Sequence, residues 1–394
     1  MLRASLASRA ALRWSGRAPY ADPGGCHRGA PVAGEFLSDP ATSEGAERGA
    51  TARWRDPRVW VGIAITVLFL WLVLRDVPFA DVGRAIARAN WFVLLLPSVP
   101  SYLLLVWVRA LRWRHLTNPI QEIGVAPMAR ATAVGYMANN IFPLRMGEVV
   151  RCWYLKRETG VSTAALFGTV ILERVIDIVS VVVMALLVVS FWSSGGDSGL
   201  ERGAILLLPV ALLPILFIVG LRVAPDRVLT IGRFLLRPFP DRLEEFLVGL
   251  VESFIEGLGA LRGGTHIFWI AFHTVIIWGV LSIIPIVAAF LALGIDLGDL
   301  HQMLGAAWTT QAAIGIAVAA PSAPGFFGIF HYACKLALLR FGVEPELAVA
   351  AGTLIHAVMW ITLTSLGFAV LRLRRTSLGE IDQAVSQPEA PSSG

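Results

Sequence analysis

Charge-free apolar runs about as long as a bilayer is thick recur along this chain, and no other feature restricts its fold so strongly. An α-helix needs ~20 apolar residues to cross the ~30 Å hydrocarbon layer. Stretches of that order run over Val59–Leu74, Ala89–Val108, Ile178–Gly196, Gly203–Leu221, Ile267–Ile295, Met303–Phe330 and Leu347–Leu371. None alternates polar with apolar residues, which excludes a β-barrel. Apolar residues make up 56% of the 394 and charged residues only 15%, a balance that water does not dissolve. The expected class is an all-α polytopic membrane protein.

Residues 1–52 form a separate arm, rich in Gly, Ala, Arg and Pro. Arg3, Arg9, Arg13 and Arg17 occur there with no acid before residue 22, a pattern shared with organellar transit peptides; a disordered cytoplasmic arm is the plainer expectation. Residues 53–375 form the membrane domain, and the polar tail 376–394 is expected to be disordered. The three cysteines, Cys26, Cys152 and Cys334, lie far apart and offer neither a disulfide framework nor a metal site. No cofactor is expected.

Orientation follows from the loops, because cytoplasmic loops keep excess Lys and Arg. Arginines gather before the first span, in 109–130, in 145–157, in 222–262 and after Leu371, whereas 296–302 holds Asp296 and Asp299 with no Lys or Arg. Both termini are therefore expected inside, in the plasma membrane. With 109–130 and 145–157 both inside, the charge-free Ala131–Leu144 is too short to cross twice and is expected to dip in and return. Met303–Phe330, broken by Pro321, Pro324, Gly325 and Gly328, is expected to dip from the other side and return through Phe326–Phe341. About six full spans plus two re-entrant broken segments result, with eight conventional spans as the alternative, and an inverted repeat is possible. Residues 226–262 read as interfacial amphipathic helices on the strength of Val228, Ile231, Leu235, Phe246, Leu250, Phe254 and Leu258.

Three clusters put charge or broken backbone where lipid makes them costly. Glu173, Arg174 and Asp177 lie near the middle of a long apolar helix, at ~2.5–3.5 kcal/mol for each unpaired charge. They read equally as a structural clamp and as a functional site, with one negative charge left over for Arg145 or Arg151. Asn139, Asn140, Pro143, Arg145, Gly147, Glu148 and Arg151 combine a helix break, free amides and guanidiniums. That setting suits an anionic head group, but it also suits a cytoplasmic turn. Around Pro321, Ser322, Pro324, Gly325 and Gly328, His331 and Lys335 share a helical face and could meet a phosphate or could simply pack. His273 and His356 read as hydrogen-bonded packing residues. No Walker loop, HExxH or nucleophile-elbow pattern occurs, and no basic domain fits a nucleic acid.

The run N-x-x-F-P-L-R-x-G-E-x-x-R from Asn139 to Arg151, then L-K-R-x-T-G, then E-R-x-x-D from Glu173 to Asp177, resembles the transmembrane region of lysylphosphatidylglycerol synthases. So does A-P-S-x-P-G-x-x-G-x-F-H-Y from Ala320 to Tyr332. The resemblance covers about 55–375 and implies a flippase-like membrane domain. In full-length synthases a soluble lysyl-transfer domain follows this region. Only a short polar tail follows Arg374 here, so a stand-alone member without that enzyme activity is expected. The leading expectation is a lipid or lipid-linked-intermediate translocase that reads an anionic head group. A small-solute or ion transporter and a non-transporting partner of a separately encoded lipid-modifying enzyme are the alternatives. Membrane lipids are the expected partners, and the residues leave oligomeric state undetermined. A groove open to lipid favours the first reading, a closed cavity the second and a sealed interior the third.

Overall fold

The computed structural model describes residues 57–75, 77–142, 145–192, 223–236, 264–318 and 324–381, with isolated helical positions between 209 and 220. Every regular element among them is a helix. In chain order these are α1 (Pro57–Leu74), α2 (Phe79–Arg88), α3 (Trp91–Thr117), α4 (Val125–Ile141), α5 (Gly147–Thr159), α6 (Thr163–Trp192) and α7 (Pro225–Leu236). There follow α8 (Gly264–Val275), a π turn (Ile276–Leu281), α9 (Ile284–Leu293), α10 (Leu300–Ala317), α11 (Ile329–Leu339) and α12 (Pro345–Leu373). Four continuous helical stretches among the described residues are long and apolar enough to cross a bilayer: α3, α6, α8 through α9, and α12. The protein is an all-α polytopic membrane protein.

Local chemistry places the ends and breaks. Asn90 caps α3, its side chain accepting from the Phe92 and Val93 amides at 3.2 Å, and Asp299 caps α10 by accepting from the Gln302 amide at 2.7 Å. Gly160, with φ of 78°, closes α5 in the left-handed conformation that glycine adopts freely. Pro285 lacks the N–H that would bond the Leu281 carbonyl. The Ser101 hydroxyl of α3 donates to that carbonyl instead, at 2.7 Å, and the helix passes through its π turn just before the proline.

The architecture is two copies of one plan: a long helix, a helical hairpin and a second long helix. In the first half these are α3, α4–α5 and α6; in the second they are α8–α9, α10–α11 and α12. Exchanging the halves preserves the packing scheme. The first hairpin packs through α4 on α12, and the second through α10 on α6. The first long helices run antiparallel, with Asn90 hydrogen-bonded to Ala292, Ser101 to Leu281 and Arg112 to Thr274. The two halves therefore run in opposite senses.

Each hairpin is anchored at its open end. Arg130 of α4 grips Glu158 of α5 through two bonds of 3.0 and 2.7 Å, and Arg157 pairs with Glu380 beyond α12. The Trp192 indole at the end of α6 donates to the His301 carbonyl at the start of α10, at 2.8 Å. The tips point the other way and meet, the Arg145 guanidinium lying 5.4 Å over the Phe326 ring.

Several expectations shift. The dip expected within 131–144 is a longer hairpin whose return limb, α5, is the charged stretch read above as a cytoplasmic loop. Burial becomes possible because Arg151 finds a carboxylate inside the fold. Residues 109–117, also read as loop, are the last turns of α3. The second return limb runs over Ile329–Leu339, close to the expected Phe326–Phe341. Only α7 of the 226–262 segment is described, with Ile231 and Phe234 exposed. Past residue 375, Ile381 is buried in the same apolar cluster as Leu371. The arm 1–52, most of the span Gly203–Leu221, and Pro143, Pro321 and Ser322 lie outside the described residues.

Candidate functional site: a cationic cavity between the hairpin tips

The Glu173–Asp177 face of α6 turns inward, and four arginines from three helices close on it. Glu173, wholly buried, takes Arg109 at 3.4 Å, Arg112 at 3.0 Å, Arg151 at 2.8 Å and Arg174 at 3.1 Å. Asp177 takes Arg112 at 2.8 Å, Arg174 at 3.0 Å and Arg109 at 3.1 Å, and also accepts from the Trp278 indole at 3.0 Å. Arg151 stacks over Trp113 at 4.6 Å, and Arg112 also donates to Thr274 at 3.2 Å. A buried carboxylate is tolerable only with such compensation.

A cavity of about 460 Å³ opens beside this cluster. Its polar wall is built by Arg109, Asn139, Arg145, Glu148, Arg174 and Asp177, and its apolar wall includes Val181, Ile314 and Met359. Ile178 and Ile316 line it too and are 36% and 41% exposed. Arg145 has no carboxylate within ion-pair distance among the described residues. Glu148 meets Arg174 only at 3.9 Å. Five guanidiniums against three carboxylates leave a formal charge of +2 around the cavity. The Nε–H of each of the five arginines also lacks an acceptor among the described residues. Glu148 Oε2 is likewise unmet, so unmet donors outnumber unmet acceptors at the site among the described residues.

The residues expected to form the site separate into three groups. Asn139, Asn140, Arg145, Glu148, Arg174 and Asp177 share the cavity, though both asparagines also hold the fold: Asn139 accepts from the Gly147 amide at 2.8 Å and Asn140 donates to Thr364 at 2.9 Å. Glu173 and Arg151 sit behind the wall as the hub of the ion network. His331 and Lys335 lie elsewhere. Lys335 donates to the Val73 carbonyl at 2.9 Å, filling an acceptor left open at the end of α1, and His331 packs against His356, with ring centroids 4.9 Å apart. Of the expected breaks, Gly147 packs on α4. Pro324 and Gly325 form the second tip, where His356 Nε2 donates to the Gly325 carbonyl at 2.6 Å, and Gly328, with φ of 84°, lies against the Thr66 carbonyl.

Sequence reasoning missed Arg109 and Arg112, which look like positive-inside loop residues. Their spacing of three in a run with no Gly or Pro between Pro100 and Pro119 was the available signal, since the apolar helix has no stop before them. The leftover negative charge expected at Glu173–Asp177 is also corrected: with these two arginines counted, the excess is positive.

A polytopic helical membrane protein with two opposed hairpins and a buried ionic hub beside a cavity is the class that the fold and site define. The chain matches the family described as "Lysylphosphatidylglycerol synthase TM region" over residues 59–367, and it belongs to that family. It is similar to the protein named glycosyltransferase AglD of Haloferax volcanii, 24% identical over 75% of this chain and 51% of the relative; the chain thus spans about half that protein's length. It is also similar to UPF0104 membrane proteins of Pyrococcus horikoshii, 25% identical over 80% of this chain and 96% of the relative, and of Methanothermobacter thermautotrophicus, 22% identical over 81% and 96%. No solved structure matches it at a significant level.

Proposed function

We propose that the protein translocates a lipid or lipid-linked intermediate by taking its anionic head group into the cavity between the hairpin tips, with no covalent chemistry on the cargo. The observation that carries this reading is the cavity's double character. Arg145, which has no ion-pair partner among the described residues, lines the cavity beside the paired Arg109 and Arg174, and the apolar side chains Val181, Ile314 and Met359 share the lining with the part-exposed Ile178 and Ile316. About 460 Å³ falls in the range of small-ligand sites, room for a head group while the acyl or prenyl chains stay in the bilayer. A sealed interior would speak for a purely structural partner and a cavity closed to lipid for a small-solute carrier. The cavity, with its part-exposed apolar lining, supports the lipid reading over both. The family's name comes from a phospholipid synthase and one relative's from a glycosyltransferase, which favours a lipid-borne group as cargo. Plasma-membrane location with both termini cytoplasmic completes the proposal.

Reconstitution tests it. Liposomes holding the parent protein should scramble or move fluorescent phosphatidylglycerol or a polyprenyl phosphate faster than empty liposomes, and faster than phosphatidylcholine. Arg145→Gln should slow this movement several-fold while melting with the parent, because Arg145 faces the cavity and no ion pair among the described residues depends on it. Absence of movement for every lipid by folded protein would overturn the reading. Uptake of soluble glycerol phosphate in its place would favour the solute carrier.

A further inference from the structure

Where the two tips meet, one contact has an unusual make-up. Arg145, the one guanidinium at the cavity with no carboxylate within ion-pair distance among the described residues, lies over Phe326 of the opposite half at 5.4 Å, within the range of cation–π attraction. Both residues carry a Cβ and both hold left-handed backbone, with φ of 56° and 61°, a region that non-glycine residues populate sparsely and that clusters at switch regions. The Phe326 side is held from behind, since His356 bonds the Gly325 carbonyl. Both partners line the cavity.

Resting on the translocase reading, we infer that Arg145 is the residue that recognises the cargo's phosphate and that Phe326 is its placeholder, a ring that occupies the guanidinium until an anion replaces it. A phosphate oxygen makes charge-assisted bonds to guanidinium that a ring face does not match, so the anion displaces the ring. Losing the ring removes one of the contacts that join the tips of the two inverted halves, the one that engages Arg145. Binding of the head group then weakens the contact between the tips, and in an empty cavity the ring keeps the guanidinium engaged. A ligand shifts such an equilibrium only by its differential affinity for the two states, and Arg145 supplies that difference because the ring-engaged state already uses it.

The proposal makes an uncommon demand: removing a cavity-lining aromatic should tighten binding. Phe326→Leu keeps the apolar bulk and removes the π face. Titration of full-length protein in nanodiscs with dioctanoyl phosphatidylglycerol should give a Kd about five-fold lower for Phe326→Leu than for the parent, the ratio expected from an interaction of this size. Arg145→Gln should raise Kd ten-fold or more. In the double variant Arg145→Gln, Phe326→Leu the tightening should vanish, because the ring competes only for that guanidinium. Melting in the same nanodiscs checks that each variant is folded, and Phe326→Met serves as a second ring-less variant if Phe326→Leu is not. Unchanged or weaker binding by folded ring-less protein overturns the placeholder, as does tightening that survives in the double variant. Parent protein that binds no anionic lipid overturns the translocase reading and the placeholder together.

Discussion

At the scale of single residues, the decisive fact is that Glu173 and Asp177 sit in the interior without standing alone. Glu173 answers four arginines drawn from α3, α5 and α6, so its carboxylate joins three helices beside the apolar core that they share. Glu173→Gln keeps the shape and removes the charge, leaving buried guanidiniums uncompensated. That should cost about 3–5 kcal/mol and lower the melting temperature in detergent markedly. Arg151→Gln should also destabilise, but by less, since it takes away one ion pair at 2.8 Å and the stack on Trp113. A Glu173→Gln protein that melts with the parent would mean that water reaches the hub. Arg145 behaves differently because it has no such partner, which is why its loss should be felt in function and not in folding.

At the scale of elements, the hairpins depend on close backbone approach. A Cβ on Gly147 would strike the Gly135 carbonyl and the Asn139 side chain, whereas one on Gly135 would meet Arg151 and the Gly147 carbonyl at 3.0 Å. Gly83 in α2 has open space around it. Alanine favours a helix interior over glycine by ~1 kcal/mol, so the surroundings alone set the sign. Gly83→Ala should raise the melting temperature slightly, and Gly147→Ala should lower it by the equivalent of about 1–3 kcal/mol or more, because a backbone carbonyl cannot swing aside. Gly135→Ala should fall between them, since a side chain can yield by tenths of an ångström. Equal melting of Gly83→Ala and Gly147→Ala would refute the tight α4–α5 contact.

At the scale of the whole molecule, the antiparallel pairing of α3 with α8–α9 puts the open ends of the hairpins on opposite sides. Cysteines placed at Gln121 and Ser162, on a background without native cysteines, should react with an impermeant maleimide from one side, the cytoplasmic one by the arginine bias. A cysteine at Gly298 should react only from the other. Labelling of Gln121 and Ser162 from opposite sides would remove the first hairpin. Much of this plan was legible beforehand. Apolar runs of ~20 residues can be satisfied only as helices in lipid, so class and approximate spans followed from composition along the chain, and Pro324, Gly325 and Gly328 marked the second break as directly. The motif from Asn139 to Arg151 likewise pointed to one end of the eventual cavity. Which charges are buried was not legible, because the apolar-run criterion judges each residue by its neighbours in sequence, whereas burying Arg109, Arg112 and Arg151 depends on carboxylates 22 to 68 residues away. The same limit hid Lys335, whose partner is a carbonyl 262 residues distant, and it turned an expected cytoplasmic loop into the return limb of a buried hairpin. Periodicity and charge along the chain determine that these helices enter a membrane; the pairing free energy of distant charges, available only once the helices are packed, decides where a cavity forms and what sign of charge it presents.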